Sequence, residues 1–314
     1  MPKTTLTRWI RRAAKAATAA LALLALVACA QIYRNSGSEP LPLRYATSLR
    51  VASYNVHYIS LRQETGPWSV GDWERRKGPL DKAFKFLEAD LVAFQEMESH
   101  AGRSESQRNL TLDWLLANNP DYAAAAVGDV SEFPSTQPIL YQADRLSLAD
   151  QGWFFFSETP DVIYSRTFNG SHPAFASWAE FADRRTGARF KVVNIHTDYA
   201  SRDNRLRSAE LVTERIAPWI KAGETVLVAG DLNARSGDRV LEIIEAAGVT
   251  FAPVEGATYH FDRGLNLFGA IDHLGWAGPV AMVDDPVVVR RKFSDEWPTD
   301  HYPVVLDLKL AGDS

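Results

Sequence analysis

Residues 225–233 read Thr-Val-Leu-Val-Ala-Gly-Asp-Leu-Asn. An unbroken apolar run closed by Gly, Asp and Asn is the pattern of a short strand buried on both faces that ends in a polar turn. The arrangement recurs along the chain. Val51-Ala-Ser-Tyr-Asn55 ends in an amide and Leu91-Val-Ala-Phe-Gln-Glu96 in a carboxylate. Val192-Val-Asn-Ile-His196 ends in an imidazole and Ala270-Ile-Asp272 in a carboxylate. Trp297-Pro-Thr-Asp300-His301 stands just before the last apolar stretch. Strands that are apolar on both faces need a layer on each side, so the run points to a layered molecule with a covered sheet.

Working outward, the apolar spacing predicts strands over 49–56, 90–95, 122–127, 138–142, 152–157, 174–182, 189–195, 225–229, 280–290 and 302–310. It predicts helices over 78–88, 107–118, 202–218 and 239–247. The first places Leu80, Ala83, Phe84 and Leu87 on one face, and the third does the same for Leu206, Ala209, Val212 and Ile216. Strands outnumber helices, and no short-period repeat is present. The pattern points to two packed sheets covered by helices rather than one doubly wound sheet.

Composition is that of a globular chain: 314 residues, 46% apolar and 23% charged. The formal net charge is −5. The first 28 residues hold five cations and no acid, so the remainder carries a formal −10. An acidic body without a basic aromatic stripe argues against indiscriminate nucleic-acid binding. The single cysteine, Cys29, excludes an internal disulfide and a cysteine zinc site.

The N-terminus is read as a targeting segment over residues 1–30, basic and then apolar, followed by a linker over 31–47 and one catalytic domain over 48–312. Leu26-Val27-Ala28-Cys29 resembles a bacterial lipoprotein signal, in which the cysteine is lipidated. The same run fits an uncleaved membrane anchor or an ordinary cleavage site at Ala28-Cys29-Ala30. Each of these readings places the body outside the cytoplasm, and the first two tether it to a membrane facing the periplasm or cell exterior.

Each polar strand end is ordinary alone, because Gly, Asp and Asn are turn formers. Together they offer hard oxygen ligands of the kind that suit Mg²⁺ or Mn²⁺, and histidines for proton transfer or charge stabilisation. The set Tyr54-Asn55, Gln95-Glu96, Asn194-Ile195-His196, Gly230-Asp231-Leu232-Asn233, Ile271-Asp272-His273 and Thr299-Asp300-His301-Tyr302-Pro303-Val304 resembles, in order, the motifs of the endonuclease/exonuclease/phosphatase superfamily, the group with the DNase I-like fold. The resemblance spans about residues 49–310 and extends to the family's bacterial metal-dependent hydrolase branch through Phe156-Ser-Glu-Thr-Pro160, Phe175-Ala-Ser-Trp178, Arg205 with Ser208-Ala209, and Thr258-Tyr259-His260-Phe261. Departures are small: Ile195-His196-Thr197 stands for the usual Thr-His-Leu, and Thr299 for the usual serine.

The resemblance implies an α+β fold, a four-layer α/β/β/α sandwich of two mostly antiparallel sheets. It implies a divalent-metal-dependent hydrolase of phosphate esters. By that analogy Asn55, Glu96 and Asp300 hold Mg²⁺ or Mn²⁺. Asp231 and Asn233 orient and activate water, Asp272 orients His301, and His196 donates to the phosphate. Whether Asp231 or His301 takes the proton is left open by the residues. The substrate classes in play are lipid head groups, nucleotides and nucleic acid, and no protein partner is called for. A non-catalytic, membrane-tethered binding protein on the same fold is the competing expectation. Among other residues, His57 reads as rim or core, His260 as a rim residue with substrate contact as the alternative, His100 and His172 as loop, and His273 as facing away from Asp272 by the two-residue strand period. Trp153, Trp178 and Trp276 read as packing.

Overall fold

The computed structural model describes residues 3–37, 39–101 and 108–310. Of the segments expected above, residues 1, 2, 38, 102–107, 311 and 312 lie outside them. The chain begins with helix α1 (Lys3–Asn35) and enters β1 (Leu49–Asn55) and β2 (Ile59–Ser60). Then come α2 (Val70–Leu87), β3 (Leu91–Gln95), β4 (Ser99–His100), α3 (Leu110–Asn118), β5 (Tyr122–Ala125) and β6 (Ile139–Gln142). The second half holds β7 (Leu146–Phe155), β8 (Phe175–Asp183), β9 (Arg189–His196), α4 (Arg202–Lys221), β10 (Thr225–Asp231) and α5 (Arg239–Glu245). It closes with β11 (Thr250–Phe251), β12 (Asp272–Ala277), β13 (Val280–Met282), β14 (Val287–Val288) and β15 (Val304–Leu310).

These strands form two main sheets. One runs β13-β15-β1-β3-β6-β5, with β14 also on β15, and the other runs β11-β12-β10-β9-β8-β7. Most neighbours are antiparallel, but β1–β3 and β9–β10, near the centres of the sheets, are parallel. The two-residue period sorts the side chains into layers. Leu49 and Val51 of β1, Leu91 and Ala93 of β3, Phe190 and Val192 of β9, and Leu227 and Ala229 of β10 share the core between the sheets. The alternate residues of β1 and β3 pack with Leu80, Ala83 and Phe84 of α2 and Leu115 of α3. Those of β9 and β10 pack with Ala209, Val212 and Ile216 of α4 and Val240 of α5. The result is the expected α/β/β/α sandwich.

Several elements differ from the sequence pattern, each for a local reason. Helix α2 starts at Val70 rather than 78, because the Ser69 side chain caps it by accepting from the Asp72 N–H and because Trp73 and Arg76 are buried. Helix α3 starts at Leu110, where the Asn109 side chain accepts from the Leu112 N–H. The expected strand 280–290 is two short strands on β15, interrupted at Asp284-Asp285-Pro286, where proline removes a ladder donor. Strand β7 begins six residues before 152 and carries a register irregularity between Leu148 and Asp150. Helix α1 runs past residue 30 to Asn35, so the stretch expected as a targeting segment and the start of the expected linker form one helix.

The starts of β1 and β3 are tied to the other sheet by buried ions. Arg145, ahead of β7, pairs with Asp90 and, at 3.1 Å, with Asp183, and all three side chains are almost fully buried. Its guanidinium also donates to the Ser48 carbonyl at 2.6 Å. Arg50 and Asp307 pair at 2.7 Å nearby in the first sheet. Removing Arg145 leaves buried Asp183 without an ion pair among the described residues and Asp90 with Arg44 alone. Arg145→Ala is therefore expected to cost about 3–5 kcal/mol, lowering Tm by roughly 10 °C at the few degrees per kcal/mol usual for this size. Thermal unfolding checks this, and an unchanged Tm would contradict it.

Candidate active site

Strand parity and register assemble the site. Asn55 has the parity of Leu49 and Val51, and Asp231 that of Leu227 and Ala229, so both face the space between the sheets. His196 and Asp272 share that face through Val192 and Leu274. Asp231 lies opposite His196 in the parallel pair β9–β10 and opposite Asp272 in the antiparallel pair β10–β12. Asn55 lies opposite Gln95, the residue before Glu96. The ends of both sheets thus meet at one rim.

Local backbone chemistry aims the groups. Gly230 is needed because a Cβ there would sit 1.9 Å from the Ile195 carbonyl oxygen, inside any real contact. Beyond it Asn233 takes a left-handed turn with φ 46°, and its N–H donates to Asp231 Oδ1 at 2.9 Å. Asn233 Nδ2 donates to the Thr197 carbonyl at 3.0 Å. That contact locks Asn233 to the end of β9. Glu96 also has left-handed backbone, φ 53°, which turns it out of β3.

The two sheets touch through polar groups. Asn55 Nδ2 donates to Glu96 Oε1 and to Asp231 Oδ2, both at 3.1 Å. Its Oδ1 accepts the His57 N–H at 3.1 Å. In this orientation Asn55 presents its amide nitrogen to the carboxylates, so offering oxygen to a metal requires an amide flip and loss of the His57 contact. Gln95 Nε2 donates to Asn194 Oδ1 at 2.7 Å, and Asn194 Nδ2 donates to the Phe94 carbonyl at the same distance. This inter-sheet bridge was visible in the sequence only as polar residues within apolar runs.

Histidines face the carboxylates. His301 Nδ1 lies 2.9 Å from Asp272 Oδ2, and its Nε2 lies 3.7 Å from Asp231 Oδ2. His196 Nε2 lies 3.6 Å from Glu96 Oε1 and 3.8 Å from Asp231 Oδ2. Burial opposes charge on His301, but Asp272, by charge and by hydrogen bond, and then Asp231 and Asp300 hold it protonated well above the usual histidine range. Burial and the neighbouring Asp272 push Asp231 up to about 6. Asp300 is drawn below the usual carboxylate range: its burial is outweighed by His301, His57 and His260.

The placements divide as follows. Asn55, Glu96, His196, Asp231, Asn233, Asp272 and His301 are joined by the contacts above. Asp300 is held beside them by its backbone, with the His260 N–H on its carbonyl at 2.8 Å and Thr299 Oγ1 on its Oδ1 at 3.3 Å. Thr299 Oγ1 also reaches the Asn55 carbonyl at 3.1 Å. Sequence reasoning missed Thr258, whose hydroxyl accepts the N–H groups of Ile271 and Asp272 at 3.0 and 3.2 Å and so fixes the start of β12. Tyr259 likewise carries no role in the sequence reading, and its ring lies 5.0 Å from that of His301. His273 is buried, bonded to the Ala234 carbonyl at 2.8 Å, on the face away from Asp272.

A family model, the endonuclease/exonuclease/phosphatase family, matches residues 52–301. The chain belongs to that family. Solved structures agree in fold. An endonuclease/exonuclease/phosphatase family protein of Bacteroides thetaiotaomicron is 22% identical, covering 85% of this chain and 99% of its own, with a TM-score of 0.70. A mannosyl-6-phosphatase of the same organism is 23% identical over 83% of this chain and 99% of its own, also with a TM-score of 0.70. The human Nocturnin catalytic domain with bound sulfate is 13% identical over 87% and 97%, with a TM-score of 0.59. No curated protein matches the chain in sequence.

Glu96, Asp231, Asp272 and Asp300 bring carboxylates to one rim, and the ion pairs of the first three among the described residues are with imidazoles. Burial, Asp300, Glu96 and Asp231 together raise the Tyr259 phenol, a sign of net negative charge at the mouth. Such a set fits a hard cation. Asp231, Asp272 and His301 also bring one ligand atom each within 4.8 Å of one another. The short Asp272–His301 contact engages Nδ1 of that imidazole, and Glu96, with about a quarter of its side chain exposed, is the more open carboxylate of the rim.

Proposed function

We propose that the chain is a divalent-metal-dependent hydrolase of phosphate esters acting through an activated water. The observation that carries this reading is the contact chain Asp272–His301–Asp231–Asn55–Glu96, which runs from one sheet to the other at a single rim. In this reading Glu96, Asp300 and the Asn55 amide, once flipped, hold Mg²⁺ or Mn²⁺. A bound ion there supplies positive charge that polarises a phosphate oxygen.

The remaining roles belong to the chain itself. Asp231 accepts the proton of the attacking water. Its Oδ1 is held by the Asn233 N–H, and its Oδ2 faces the site. His301, positioned by Asp272 and favoured in its protonated form by the surrounding carboxylates, is better suited to give a proton than to take one. It donates through Nε2 to the phosphate as charge builds. His196, a quarter exposed beside Glu96, donates from the second side. Asn233 fixes the Asp231 carboxylate and the end of β9. The family shows only the general class, and mannosyl phosphates, nucleotides and lipid head groups all carry the group this site addresses.

The test is turnover of an aryl phosphodiester and its monoester, bis(4-nitrophenyl) phosphate and 4-nitrophenyl phosphate, by the purified chain with Mg²⁺ or Mn²⁺. Release of nitrophenol from at least one is expected. Folded protein that releases none from either would point instead to a binding protein on this fold.

A further inference from the structure

The N-terminal helix and the active-site rim are physically joined. Among the described residues one helix is long and apolar enough to cross a membrane, over Arg8–Asn35, and the body covers none of its apolar window. At 1.5 Å per residue its 28 residues extend about 42 Å, enough for a hydrocarbon core of about 30 Å. Tyr33, 88% exposed, and Arg34 stand at its end, residue types that settle at a membrane–water interface.

The next residues are clamped rather than free. Asn35 is buried. Its carbonyl accepts the Ala257 N–H at 3.0 Å, and its Nδ2 donates to the Asn266 carbonyl at 3.3 Å. Asn266 Nδ2 donates in return to Ser36 Oγ at 2.9 Å. Arg290 closes the clamp, donating to the carbonyls of Gly37 and Glu255 and, at 2.8 Å, of Ala257. A Cβ on Gly256 would meet the Asn35 carbonyl at 2.8 Å, so this close approach needs glycine there.

The clamped loop, residues 255–269, is a wall of the site. Tyr259 lies against His301, Phe261 lies 4.5 Å from Tyr259, and Phe268 lies 5.9 Å from Phe261. Arg235, two residues beyond Asn233, sits 5.0 Å over the Phe268 ring. Leu265 and Phe268, on either side of Asn266, are 38% and 42% exposed. Apolar side chains are thus left in solvent beside the point where an apolar helix ends.

We propose that the rim carrying Leu265 and Phe268 rests on a lipid bilayer, so that the site takes its phosphate ester from the bilayer interface. The substrate part of this inference rests on the hydrolase reading, whereas the docking part does not. An uncleaved helix puts the clamp directly at the interface. A chain lipidated at Cys29 leaves six residues before Asn35, a reach of at most about 20 Å.

The test is the rate at which a water-soluble maleimide modifies Phe268→Cys in the full chain in phosphatidylcholine vesicles. Peptide mapping scores Cys29 separately. The reference is Val283→Cys, 38% exposed, bonded through its N–H to Asp307 in the sheet end that carries the buried arginines. Modification at 268 is expected to be about tenfold slower than at 283, as burial in the headgroup region would make it. A flexible insert of about 20 residues between Tyr33 and Arg34 leaves the clamp intact and moves the body off the surface, so it should restore fast modification. Asn35→Ala, which removes the side-chain half of the clamp, should move the rate the same way. Equal rates at 268 and 283 would overturn the proposal. So would slow modification that persists with the insert, or a mature chain recovered free of vesicles. Turnover of the soluble aryl esters reads the hydrolase assignment separately, so failure of one reading is not mistaken for failure of the other.

Discussion

Asp231→Asn is expected to lower kcat on an aryl phosphodiester by about 10²–10⁴-fold, the range for losing a positioned general base, with KM little changed. Asparagine matches the carboxylate in shape and keeps an oxygen for the Asn233 N–H, so the turn after β10 survives. It cannot accept a proton. Stability should change little, because relief of the repulsion from Asp272 is set against loss of the Asn55 Nδ2 contact, which an amide NH2 cannot accept. A neutral amide removes that repulsion. Steady-state kinetics with thermal unfolding on the same preparation separates loss of chemistry from loss of fold. Near-normal kcat from a folded variant would sink the assignment of Asp231.

Removing divalent cations is expected to bring hydrolysis to background, and Mg²⁺ or Mn²⁺ to restore it. The physical reason is charge. A phosphate ester entering this rim meets Glu96, Asp231, Asp272 and Asp300, and one pair of like charges 4 Å apart near a protein surface costs about 4 kcal/mol. His301 and His196 offset part of this. Arg76, the buried arginine nearest, is committed to the carbonyls of Val56, His57 and Pro298 and to Asp72. A bound cation makes up the difference. Assay after EDTA and dialysis, then titration with each metal, reads this directly. Full turnover in EDTA would remove the metal from the account.

Much of the architecture was legible because its cause is local. The uniform burial of β1, β3 and β10 writes itself as apolar runs, and a polar residue at the end of such a run can only sit at the sheet rim. The start of α2 was missed because Gly78-Pro79 looks like a breaker. Pro79 instead lies inside a helix held by the Ser69 cap and by buried Trp73. The inter-sheet partners Gln95 and Asn194 could not be paired from sequence, since 99 residues separate them and only the sandwich brings them together. The orientation of Asn55 was equally hidden, because it is set by the His57 N–H after a left-handed turn. The clamp between residues 35–37 and Arg290 was invisible for the same reason: a segment read as linker is anchored by a residue some 250 positions away.

The proton assignment shows what geometry adds. From the residues alone Asp231 and His301 were equivalent candidates. The 2.9 Å contact between Asp272 and His301, inside a buried cluster of carboxylates, favours the charged imidazole and supports the proposal that Asp231 is the acceptor.

The most direct test of the central claim, attack of an Asp231-activated water on phosphorus, is hydrolysis of bis(4-nitrophenyl) phosphate by metal-loaded enzyme in ¹⁸O-labelled water under single-turnover conditions. The account predicts one labelled oxygen in the nitrophenyl phosphate formed and none in the nitrophenol. Label in the nitrophenol, or an unlabelled phosphoryl group retained on the protein in the first turnover, would contradict it.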